Sequence, residues 1–325
     1  GQYTYMNASA LGGTDYETFM NGGSLQSYGG VYTLTERITC NGGRFSTWGY
    51  GNASFNIAGH VTVNSNVEIR AGNDLSSGIG TLELSGLFEG AGGLTRIVGQ
   101  YTNYVYITGN TNTYTGPTIV NSGAALWVGK PNLYSGVLGY GAVTNAGTLY
   151  AYSSRLCYGP LVNQGTLYCS TGVVSMGSVA NSGKLYLSGG LLGTGSVVNS
   201  GSLYCFMPSL GAGDVTNTGS LYFDATNMAH VVTNAIYGGG SSFLRYGSSV
   251  TLGSYCSNGY WRVGIGALTL TNGAAVIAGS GVTVADRQSM GYSVDPTNVT
   301  AVLNILPGAS LTAAYLEVGD GSTVT

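Results

Sequence analysis

Few side chains in this sequence are placed to move protons or hold metals. Cleaving a sugar polymer takes two carboxyl groups flanking the bond, or a base beside an Arg or Lys. No Asp or Glu occurs between Glu89 and Asp214. Asp214 and Asp224 read as solvated surface or turn residues. Glu36-Arg37, Glu68 with Arg70, and Asp286-Arg287 read as local surface salt pairs. His60 and His230 have no carboxylate or cysteine at ligand spacing, so neither reads as a metal ligand or as the base of a triad. Gly238-Gly239-Gly240 lacks the lysine and helix of a phosphate loop and reads as a turn. The cysteines, Cys40, Cys157, Cys169, Cys205 and Cys256, form no CxxC pair and read as small buried apolar residues. The sequence thus assigns no catalytic residue, metal ligand or cofactor, and the chain is not expected to be an enzyme.

One row of residues can do non-covalent chemistry. Tyr150, Tyr168, Tyr186, Tyr204 and Tyr222 recur every 18 residues. Aromatic faces along a groove can stack on sugar rings, and their hydroxyls can bond sugar hydroxyls. The same row can stabilise a sheet through cross-strand contacts, or be covered by a neighbouring subunit. All three readings stand at this point.

The row belongs to a repeat. GAVTNAGTLYA, GPLVNQGTLYC, GSVANSGKLYL, GSVVNSGSLYC and GDVTNTGSLYF begin at Gly141, Gly159, Gly177, Gly195 and Gly213, without slip. Each carries an asparagine (Asn145, Asn163, Asn181, Asn199, Asn217) and a leucine before the tyrosine (Leu149, Leu167, Leu185, Leu203, Leu221). Leu, Tyr and the next residue should point inward, outward and inward on a strand. The next residue is Ala151, Cys169, Leu187, Cys205 or Phe223. Leu138, Leu156, Val174, Leu192 and Leu210 form another apolar column. The Asn-x-Gly step reads as a turn whose residues tolerate positive φ. A coil this short cannot bury its own core, so the copies must stack. In-register stacking at about 4.8 Å makes the asparagines an amide ladder and the tyrosines an outer ladder. Cys169 and Cys205 then lie two coils apart, roughly 9.6 Å, beyond the reach of a disulfide.

Composition agrees. The chain has 325 residues, of which 7% are charged, with a net charge of -3; ordinary soluble domains carry roughly 25% charged residues. Ten Lys and Arg without a cluster exclude nucleic-acid binding. A hydrophobic content of 43% excludes disorder. No apolar run is long enough for a membrane-spanning helix. GQYTYMNASA lacks signal-peptide character and an initiator methionine, so the chain reads as a mature or excised piece of a precursor. The expected fold is all-β: a single right-handed parallel β-solenoid. Residues 1–58 form a strand-rich region and possible subunit-contact segment. Residues 59–136 form less regular coils, 137–230 the 18-residue coils, and 231–325 further coils ending without a cap. Asn7-Ala8-Ser9, Asn52-Ala53-Ser54 and Asn298-Val299-Thr300 match the glycosylation sequon.

Residues 90–129 contain Gly92-Gly93-Leu94-Thr95, Asn112-Thr113-Tyr114-Thr115-Gly116, Thr118, Val120, Gly123 and Val128-Gly129. This segment resembles the passenger-associated repeat of bacterial autotransporters. The resemblance implies a secreted β-solenoid passenger at the cell surface, structural or adhesive, and no particular activity. The chain is richer in tyrosine than that pattern, and its central block is more regular. The function expected is a structural extracellular or cell-surface protein whose copies join head to tail into a fibre. An adhesin or glycan-binding passenger using the tyrosine face is the alternative, and a polysaccharide-degrading enzyme or phage tailspike is a third reading. The expected partners are copies of itself and surface glycans, with no nucleic acid.

Overall fold

The computed structural model describes residues 2–5, 16–49, 51–72, 78–100, 103–131, 133, 135–152, 155–206, 210–224, 229–264, 266–284, 301–319 and 322–324. Asp286-Arg287 and the sequons at Asn7 and Asn298 lie outside these residues. Among the described residues all regular structure is strand and no helix occurs. The strands stack in parallel as a β-solenoid of about 12 turns, roughly 21 residues apart. The chain divides into two compact units, Gly1–Met176 and Gly177–Thr325.

In the first unit, Val143–Asn145 pairs in register with Leu161–Asn163, and Thr148–Ala151 with Thr166–Cys169. A third strand, Arg155–Cys157, pairs with Gly172–Ser175. These two coils therefore each present three short strands around one core. Leu149 stands against Leu167, and both are fully buried. The second unit repeats the plan: Leu185, Leu203 and Leu221 stand one on the next, again fully buried. Ala151, Cys169, Leu187, Cys205 and Phe223 all point inward, as do Leu138, Leu156, Val174, Leu192 and Leu210. Each leucine, valine or phenylalanine among them contributes about 1.5–3 kcal/mol on removal from water, and the smaller Ala151 less.

All five cysteines are buried and free. Burial raises their thiols, Cys40 and Cys169 to about 12 and Cys157 and Cys256 to about 11, and raises Cys205 as well. They pack as small apolar side chains within the inward columns, Cys205 between Leu187 and Phe223.

The repeat glycines differ from the sequence expectation. Gly147, Gly165, Gly201 and Gly219 do not adopt positive φ. Their role is contact with the coil beneath. A Cβ on Gly165 would lie 2.0 Å from the Gly147 carbonyl oxygen, and one on Gly201 2.2 Å from that of Gly183. The opening glycines behave alike: a Cβ on Gly213 would lie 1.9 Å from the Gly195 oxygen. The backbones approach so closely at these corners that a methyl group would push the coils apart.

Gly201→Ala should therefore lower the unfolding free energy by about 1–3 kcal/mol, the usual cost of overpacking. Gly239→Ala is the matched control, because nothing lies within 4 Å of its would-be Cβ. It should change stability by less than about 0.5 kcal/mol. Urea denaturation of both variants checks the pair.

Candidate functional site

The interior ladder fixes the position of everything outside it. Asn145 donates from Nδ2 to Asn163 Oδ1 at 2.7 Å in the first unit. In the second unit Asn181 donates to Asn199, and Asn199 to Asn217, each at 2.7 Å. The remaining amide hydrogens go to backbone carbonyls of the next coil, Thr166, Ser202 and Ser220, at 3.0–3.1 Å. All five asparagines are buried. Asn145 Oδ1 has no partner, because the preceding coil places Val120 in that column.

The outer face carries the aromatic ladder. In the first unit Trp127 stacks on Tyr150 with centroids 5.0 Å apart, and Tyr150 on Tyr168 at 5.1 Å. In the second unit Tyr186, Tyr204 and Tyr222 stack at 4.6 Å with planes within 7°, and Phe243 continues at 4.8 Å. Cations flank both columns. Lys130 Nζ lies 5.1 Å from the Tyr106 centroid and 2.7 Å from Glu83 Oε2. Arg245 lies 4.4 Å from Tyr222, and Arg262 lies 5.9 Å from Phe243. Stacked pairs of this kind contribute about 0.5–1.5 kcal/mol beyond burial.

This geometry changes what the tyrosines offer. Tyr150 is sandwiched between Trp127 and Tyr168, and Tyr204 between Tyr186 and Tyr222. Their ring faces are occupied by one another, so a ligand meets ring edges and hydroxyls. Beside the tyrosines runs a parallel column of Lys184, Ser202, Ser220 and Ser241. Along these columns the groups presented to a ligand are ring edges, hydroxyls and the Lys184 amine.

Several charged residues stand otherwise than their spacing suggested. Glu68 pairs with Arg44 on the neighbouring coil, at 2.6 Å, and Arg70 lies 4.9 Å over Trp48. A neighbour one coil away is closer than a residue two along the same strand, which explains the exchange. Glu36 is buried beside Thr18 and not on the surface with Arg37; desolvation raises its carboxyl above the usual range. Asp224 is buried rather than solvated and holds Arg245 through both carboxylate oxygens. His60, which the spacing left without a carboxylate partner, has Nε2 2.9 Å from Glu89 Oε1. His230 is buried against the Phe223 ring. Asp214 accepts the Ala235 N–H at 3.1 Å. Sequence reasoning missed Arg96, which is fully buried and donates to the carbonyls of Ala125 and Ile97 and to Asn103. Burial, with Arg70 nearby, lowers its guanidinium to about 10. A run of carbonyl oxygens needing donors leaves no sequence signature.

The segment around Asn112 has a structural reading as well. Asn112 accepts the Phe88 N–H at 2.9 Å and donates to the Val137 carbonyl at 2.8 Å. Tyr114 is wholly buried, with its hydroxyl 2.7 Å from Thr118 Oγ1. A Cβ on Gly116 would meet Gly92 at 2.3 Å. Among the described residues no group of three or more His, Cys, Asp or Glu is gathered as metal ligands, and no helix is long and apolar enough to cross a membrane.

Two outcomes test the interior. Asn199→Ala removes the acceptor of Asn181 and the donor to Asn217, and should cost about 1–3 kcal/mol in urea denaturation. The thiols make stability depend on pH. Their folded values lie above the ordinary 9.0, so the unfolded chain deprotonates first. Stability from this source should be intact below pH 9 and fall as pH rises toward 12. Denaturation midpoints at pH 7, 9 and 10.5 check this. Compared with known proteins, the chain matches no family model, no curated protein and no solved structure.

Proposed function

We propose that this protein is a structural β-solenoid of the cell surface or extracellular space, whose stack is its function, and that its copies associate end to end into a fibre. One observation carries the reading: the same residue type does the same mechanical work in successive coils. The asparagine amide is spent on the next amide, and the tyrosine ring on the next ring. A ligand site usually needs a few unlike groups converging on one point; a column of like groups serves the axis. The carboxylates Glu68, Glu83 and Asp224 are each engaged with a cation, which supports a non-catalytic role. The likeness of residues 90–129 to the passenger-associated repeat supports export. So does a composition low in charge and rich in Ser, Thr, Asn, Gly and Tyr. Parallel strand edges accept further strands through their unpaired backbone groups, which is the physical basis proposed for end-to-end association.

The second reading is glycan binding, favoured by the hydroxyl-rich strip formed by the tyrosine edges and the serine column beside them.

Tyr168→Ala and Tyr186→Ala, measured on a glycan array and by thermal unfolding, separate the two readings. The structural reading expects no glycan signal from the parent protein and a lower melting temperature in both variants. Glycan binding lost without loss of stability overturns it. Negative-stain microscopy of the purified chain tests assembly: filaments that lengthen with concentration are expected, and dispersed monomers at high concentration end the fibre proposal.

A further inference from the structure

The tyrosines fall into two geometric classes. Ladder rings are nearly parallel, with interplanar angles of 7° for Tyr186–Tyr204 and Tyr204–Tyr222 and 10° for Tyr150–Tyr168. Three other tyrosine pairs are tilted. Tyr260 and Tyr315 stand two coils apart, with centroids separated by 6.2 Å and planes at 49°; the other two pairs are closer and join consecutive coils. Tyr140 and Tyr158 have centroids 4.6 Å apart and planes at 33°; Tyr237 and Tyr255 are 5.7 Å apart at 39°. The tilted pairs also reach solvent: Tyr140 is 50% exposed, Tyr237 42% and Tyr255 39%. Tyr140–Tyr158 and Tyr237–Tyr255 each lie within one unit and link residues 18 apart, hence consecutive coils, whereas Tyr260 and Tyr315 are separated by an intervening coil.

We propose that Tyr140–Tyr158 and Tyr237–Tyr255 are sites of oxidative phenol coupling, in which a peroxidase-type one-electron oxidant with hydrogen peroxide joins the two rings through their ortho carbons. Each phenol gives up one electron and its hydroxyl proton. The two unpaired electrons form the new carbon–carbon bond between ortho positions. The two ortho hydrogens then move to the oxygens, restoring both aromatic rings and both hydroxyls. One hydrogen peroxide becomes two waters.

Geometry selects these pairs over the ladder. A biphenol joins its rings edge to edge with a twist between the planes. A ladder ring would have to leave two stacking partners and rotate out of a parallel column to reach that arrangement. A tilted ring already approaches its neighbour at an angle, and half of Tyr140 faces the oxidant. The product ties one coil to the next. The thiols cannot make such a tie, because all five are buried and free and burial holds them protonated.

The test treats dilute full-length chain with a haem peroxidase and hydrogen peroxide. Monomer is then isolated, and the linked peptides are mapped by mass spectrometry alongside dityrosine fluorescence. The expected result is Tyr140–Tyr158 and Tyr237–Tyr255 links within the monomer and a higher melting temperature than untreated protein. Tyr140→Phe and Tyr237→Phe should each abolish their own link and leave the circular dichroism unchanged. Tyr158→Phe and Tyr255→Phe give the same readout if a first variant fails to fold. Links mapped mainly to Tyr186–Tyr204 or Tyr204–Tyr222, dityrosine found only between molecules, or tyrosine oxidation without any link in the monomer would each overturn the assignment.

Discussion

A buried primary amide is the most demanding group in this molecule. It brings two donors and one acceptor into a place without water, and leaving any of them unmade costs as much as a lost core methyl group or more. The coils meet that demand with one another. Asn199 shows the full pattern: it accepts from Asn181, donates to Asn217, and places its spare hydrogen on the Ser220 carbonyl. The solution exists only if successive coils stand in register, since a slip of one residue turns the amide out and an outer side chain in. The ladder therefore fixes register, and register fixes everything else. Leucine must fall on leucine, the corner glycines must fall on glycine because the backbones touch there, and the tyrosines are brought to stacking distance on the outside. Asn145 marks where the solution begins: its oxygen faces Val120 and has no partner, the cost of starting a ladder above an apolar coil.

The regular block was legible in the sequence because its period is constant. Fixed spacing converts directly into columns, so the buried leucines, the inward position after tyrosine and the amide ladder all follow from counting. Elsewhere counting fails. The outer column Thr33, Asn56, Glu83, Tyr106, Trp127 advances by 23, 27, 23 and 21 residues. Corners of different length absorb the difference, so Trp127 and Tyr106 give no sign in sequence that they continue the tyrosine row. The ion pairs were missed for the same reason. In a solenoid the nearest neighbour of a charge is one coil away, some twenty residues along the chain, and Arg44–Glu68 and Asp224–Arg245 are spaced accordingly. The glycines were located correctly and explained wrongly. A glycine in an Asn-x-Gly step suggests an unusual φ, and only the stacked structure shows that the limit is the neighbour's carbonyl oxygen.

The same geometry bears on why the outer face is aromatic at all. An exposed tyrosine alone gains little from folding, but a tyrosine fixed directly above another buries a ring face in each, at a spacing the sheet already imposes. Strand spacing of about 4.8 Å is close to the stacking distance of aromatic rings, so the backbone sets the contact and the side chains supply the energy. A binding surface would gain most from rings held apart with faces open. This one closes the faces and flanks the columns with Lys130, Arg245 and Arg262, cations that complement the electron-rich rings. What is left to the outside is a strip of hydroxyls on a stiff support. That arrangement suits a protein whose outer face must stay hydrated with few charges and whose inner face must keep one coil from sliding on the next.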